Sequence, residues 1–80
     1  GSFYLKYLKK DFIKMLDKSH NKPISYRLIY KNKRLYLYIT FEVNDIDIIT
    51  NFIVCHFASR NIPMFLYLQY FRNNRLYKYI

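Results

Sequence analysis

Cys55 stands next to His56, which brings together the residue types that a thiol nucleophile and its base require. The chain around them, NDIDIITNFIVCHFASRNIP (44–63), reads as a helix, and neighbours on a helix point about 100° apart. The two side chains therefore cannot converge on one atom. A packed thiol and a histidine satisfied in or beside the core are expected instead. The acids are Asp11, Asp17, Glu42, Asp45 and Asp47. Asp45 and Asp47 suit the start of the 44–63 helix, and Asp11 and Asp17 read as charge balance among lysines. His20 falls in a loop and is expected to be solvated. Three or four ligands with metal-site spacing do not occur, and a Gly-rich phosphate loop is excluded because the single glycine is Gly1. The inventory predicts no catalytic residue, no metal, no cofactor, and a protein that binds rather than catalyses.

Binding chemistry is better supplied. Residues 64–79, MFLYLQYFRNNRLYKY, mix six aromatics with three cations and contain no acid. The whole chain has 14 basic and 5 acidic residues, a net charge of +9. That balance suits a polyanion, either nucleic acid or an anionic membrane surface. It also suits an AT-rich coding sequence, since Lys, Asn, Ile, Phe and Tyr make up more than half of the chain. Arguments from position are independent of that bias. No apolar run approaches the roughly 18–20 residues of a membrane span. One cysteine allows no internal disulfide, so a reducing intracellular compartment is expected.

The length allows one domain, read here as 3–80 with Gly1-Ser2 as a cloning remnant. FYLKYLKKDFIKMLDK (3–18) places Leu5, Leu8, Phe12, Met15 and Leu16 at helical spacing, with Tyr4 alongside. This helix is Lys-rich and amphipathic, as membrane-surface helices are, but its apolar face is needed for a thin core. Pro23 ends the segment that follows it. ISYRLIYK (24–31) and RLYLYITFEV (34–43) alternate around Asn32-Lys33. A two-residue turn there pairs Tyr30 with Leu35, Leu28 with Leu37, Tyr26 with Ile39 and Ile24 with Phe41, apolar with apolar. In the 44–63 helix Asn44 can cap the first turn, Arg60 sits in the last turn and Asn61 can take the left-handed position after it. Its apolar residues cover most of its circumference, so it is expected to be the more deeply buried helix. A second hairpin, 64–72 with 75–80, turns at Asn73-Asn74. It pairs Arg72 with Arg75, Tyr70 with Tyr77 and Leu68 with Tyr79, with Leu66, Leu68, Tyr70, Tyr77 and Tyr79 toward the helices.

The expected fold is α+β in the order α-β-β-α-β-β, a four-stranded antiparallel sheet with two helices packed on one face. This order is similar to the core of a LAGLIDADG homing-endonuclease unit, whose sheet sits on DNA. FIKMLDKSH (12–20) stands where that family's first helix ends in small residues and an acidic metal ligand. Here Lys14, Met15 and Leu16 are bulky, and Asp17 is the acid nearby. The likeness is thus one of topology. A similar order begins roadblock-type folds, which assemble proteins, so the two resemblances imply different partners.

Two helices cover one side of such a sheet. The other would carry Arg27, Ile29, Lys31, Arg34, Tyr36 and Tyr38, then Phe65, Tyr67, Gln69, Phe71, Leu76, Lys78 and Ile80. An open antiparallel face normally reads polar; half of this one is apolar, which marks a contact surface. The expected partner is nucleic acid, with Tyr36, Tyr38, Phe65, Tyr67 and Phe71 as contact residues. Arg27, Lys31, Arg34, Arg72, Arg75 and Lys78 would form a cationic rim. The alternative is a protein partner, or a homodimer, using the same face. A flanking segment folded over the face is a third occupant, since the chain stops at Ile80 with its last strand barely finished.

Overall fold

The computed structural model describes residues 2–42 and 45–78. The elements run α1 (Ser2–Ser19), β1 (Pro23–Lys31), β2 (Arg34–Glu42), α2 (Ile46–Ala58), β3 (Met64–Arg72) and β4 (Arg75–Lys78). The four strands form one sheet in the order β1-β2-β3-β4. The α+β class and the element order are as the alternation and helical spacing imply.

The sheet is mixed, not antiparallel throughout. β1–β2 and β3–β4 are antiparallel hairpins, but β2 and β3 run parallel, from Leu35 beside Met64 to Glu42 beside Phe71. The connection between them explains this. A helix of 13 residues runs roughly 20 Å back along the sheet. It returns the chain to the end where β2 began, and the Leu35 N–H donates to the Pro63 carbonyl at 2.9 Å. A helical crossover of this length is what parallel neighbours require.

The turns follow their residue types. Asn32 and Lys33 have φ of 53° and 59°, Asn73 and Asn74 of 53° and 63°, which is the geometry of tight hairpin loops. Asn61 takes φ 55° after α2, and His20, exposed, takes φ 58° after α1. In the first hairpin Tyr26, Leu28 and Tyr30 meet Ile39, Leu37 and Leu35. The pairing of Ile24 with Phe41 is not formed. A bulge lets Pro23 sit beside Phe41, and Ile24 is 55% exposed. In the second hairpin Arg72–Arg75, Phe71–Leu76, Tyr70–Tyr77 and Gln69–Lys78 pair. Tyr79 and Asn44 lie outside the described residues, and so do the pairing and the cap expected of them. Asp45 is the N-cap of α2, without a side-chain cap hydrogen bond.

One core joins both helices to one face of the sheet. Leu8, Phe12, Met15 and Leu16 of α1 and Ile49, Ile53 and Phe57 of α2 pack with the inward residues of the sheet, among them Leu37, Ile39, Phe41 and Leu68. Tyr4 meets the Tyr30 ring edge-on, and Phe12 meets Tyr26 the same way. α2 has a slightly larger buried share than α1, but it is not buried over most of its circumference. Ile48 is 64% exposed, and Phe52, Val54 and Cys55 are exposed beside it. A two-layer domain offers a helix only one apolar surface, so a helix apolar all round leaves residues in water. Tyr77 also stays 40% exposed although it stacks on Tyr70, because β4 is an edge strand.

Candidate functional site

The open side of the sheet is built in rows, one residue from each strand. Ile29, Tyr36 and Phe65 form one row, Arg27, Tyr38 and Tyr67 the next, and Ser25, Thr40, Gln69 and Lys78 a third that spans all four strands. Glu42, Phe71 and Leu76 follow. Lys31 and Arg34 face each other beside the first turn. No described element covers this face, and Tyr38, Phe65, Tyr67 and Leu76 are all exposed there.

Parallel, in-register pairing of β2 with β3 stacks the aromatic residues. Tyr36 and Phe65 have centroids 5.2 Å apart and planes 14° apart. Tyr38 and Tyr67 stand at 4.7 Å and 9°. These separations are close to the spacing of neighbouring strands. Each ring therefore has one flat face covered by its partner and the other turned outward, Tyr38 toward β1 and Tyr67 away from β2. The Arg34 guanidinium lies 5.9 Å from the centre of the Phe65 ring, within cation–π reach.

Beside the Tyr38–Tyr67 pair the sheet dips, because the next row is polar and begins with the short side chains of Ser25 and Thr40. The cleft has a volume of about 420 Å³. Ser25, Thr40 and Gln69 lie along it, with Arg27 and Lys78 among its lining and no acidic residue. Gln69 Nε2 donates to Thr40 Oγ1 at 3.1 Å, which fixes both side chains. The alternation of residues places Ser25 and Thr40 on this face, and the regular register of the first hairpin sets them level, with the bulge lying beyond them between Pro23 and Ser25.

Not all expected contact residues gather here. Arg27, Lys31, Arg34, Tyr36, Tyr38, Phe65, Tyr67, Phe71 and Lys78 share the open face by strand alternation. Arg72 and Arg75 alternate with the helix side, in step with Tyr70 and Tyr77. The parallel crossover also moves them. With β2 and β3 antiparallel, both hairpin turns would project from one end of the sheet. Here they project from opposite ends, so the Arg72–Arg75 pair is separated from Lys31–Arg34 by roughly 30 Å of strand.

Asp11, His56 and Arg60 form a second polar cluster, on the helix side. His56 Nε2 and Asp11 Oδ2 are 2.6 Å apart, and Arg60 Nε lies 3.2 Å from the same oxygen. The Arg60 Nη1 also donates to the His56 carbonyl at 2.9 Å. Asp11 thus ties α1 to α2 and is not charge balance among lysines. Cys55 turns outward while His56 turns inward, and the expected packed thiol is exposed. Among the described residues no three His, Cys, Asp or Glu converge as a metal site would require, and no helix is long and apolar enough to cross a membrane.

No protein-family model, curated protein or solved structure matches the chain.

Proposed function

We propose that the chain is a nucleic-acid-binding module that works through the open face of its sheet, without catalysis. The observation that carries this reading is the joint presence on one uncovered face of two stacked aromatic pairs and the cations Arg27, Lys31, Arg34 and Lys78, against the single acid Glu42 among the described residues of that face. Exposed rings offer stacking worth about 1–3 kcal/mol per base, and the cations offer phosphate contacts.

The same charges weigh against a homodimer on this face. A two-fold contact would set this cationic face against the same cationic face, with one carboxylate among the described residues of each face to offset it. A protein partner would need an acidic surface.

Titration of a fluorescent 12-nucleotide oligonucleotide at 50 mM salt tests the proposal. Saturable binding is expected, weakened at least tenfold by Lys31→Ala with Arg34→Ala. Absence of binding at that salt concentration rejects the reading.

A further inference from the structure

We infer that the cleft beside Tyr38 and Tyr67 holds one unpaired nucleotide, so that the face takes single-stranded nucleic acid in preference to duplex. The inference rests on the nucleic-acid reading above and adds the form of the ligand to it. Three features of the cleft carry it.

Its size comes first. A volume of about 420 Å³ lies in the range of small-molecule sites and gives a base room to enter the sheet face, where a duplex could only lie across the top. A base held in a duplex is already paired and stacked, and bringing it into a cleft costs a few kcal/mol.

The polar floor comes second. The bond from Gln69 Nε2 to Thr40 Oγ1 orients the Gln69 amide and leaves its carbonyl oxygen and second N–H for a ligand. A donor and an acceptor side by side are the pattern that reads a base edge, and such readout in single strands uses the edges that pairing would hide. The Ser25 hydroxyl adds another polar group to the lining.

The placement of charge is third. Arg27 on β1 and Lys78 on β4 flank the cleft, roughly 15 Å apart at the backbone by strand spacing. Their long side chains reach inward from both sides. A strand crossing the sheet at right angles to β2 and β3 would bring the phosphates on either side of the inserted nucleotide to these two cations. Tyr38 and Tyr67, both exposed, then stand along its path as stacking surfaces for neighbouring bases.

The experiment compares a labelled 12-nucleotide single strand with its 12-base-pair duplex, on the full chain and on Gln69→Leu and Thr40→Val. The single strand is expected to bind at least tenfold tighter than the duplex. Gln69→Leu should weaken the single strand about tenfold, in line with loss of one bidentate base contact, and leave duplex binding unchanged. Thr40→Val, nearly isosteric, should weaken the single strand in the same direction by freeing the Gln69 amide. Circular dichroism melts establish that each variant is folded, and if one is not, the other reads the same floor. Equal affinity for the two ligands, or floor variants that bind the single strand as the parent does, overturns the inference while leaving the broader nucleic-acid reading in place. No binding of either ligand overturns both.

Discussion

Tyr38 on β2 and Tyr67 on β3 lie face to face, with ring centroids 4.7 Å apart and planes 9° apart. The contact exists because β2 and β3 are parallel and in register at this point. It stands on the uncovered side of the sheet, where the two rings stabilise each other but remain accessible. The double substitution Tyr38→Ser with Tyr67→Ser should cost about 1 kcal/mol of stability, the scale of one aromatic pair, and leave a cooperative melt. Oligonucleotide affinity should fall at least tenfold, in line with lost base stacking. Loss of the folded state in this variant would mean that the rings belong to the core.

The Asp11–His56 contact should be worth more, because both side chains are largely shielded from water. Asp11→Ala is expected to destabilise by about 2 kcal/mol, the scale of a hydrogen bond to a charged group. His56→Ala should behave similarly, and the double variant should cost less than the sum, with a coupling of about 1 kcal/mol. Urea unfolding of the four proteins measures this. Additive losses would show that the helices are not joined there.

Thr50 is buried on α2, and its hydroxyl has no hydrogen-bond partner among the described residues. Thr50→Val keeps the shape and removes the unsatisfied group. It should stabilise by about 1 kcal/mol, a rise of roughly 4–8 °C in Tm for a domain of this size.

Lys33 holds a φ of 59° at the second position of the first turn. A side chain with a Cβ is strained there, whereas Asn-Gly is the preferred pair. Lys33→Gly should therefore stabilise by about 1 kcal/mol, read by thermal melting, although glycine usually weakens a chain.

The sequence made local relationships legible. Alternation set Leu28 against Leu37 and Tyr70 against Tyr77, and asparagine marked the positive-φ turns. The inward set was also readable, because a one-residue slip would have put polar residues into the core. Longer-range relationships were harder. Nothing in the strands themselves says whether β2 and β3 run parallel. The signal was the helix between them, whose length returns the chain to its starting end. The bulge at Ile24 was hidden because an apolar residue fits the alternation as well as the core does. The apolar circumference of α2 suggested deep burial, but a single sheet covers one side of it. Asp11 and His56 are 45 residues apart, and their contact depends on how α1 lies against α2. Of the contact residues, Arg72 and Arg75 were misplaced for two reasons: alternation puts them in step with Tyr70 and Tyr77 on the helix side, which the sequence already showed, and the parallel crossover carries their turn to the far end of the sheet.

The salt dependence of oligonucleotide binding tests the central claim most directly. Four phosphate contacts, from Arg27, Lys31, Arg34 and Lys78, predict a slope of about −3 in log affinity against log salt for a single strand. Affinity should then fall roughly 50-fold between 50 and 200 mM salt. The Arg72→Ala with Arg75→Ala variant, altered at the far turn, should keep that slope. A slope near zero, or no binding at 50 mM together with a salt-insensitive dimer in sedimentation, would contradict the account.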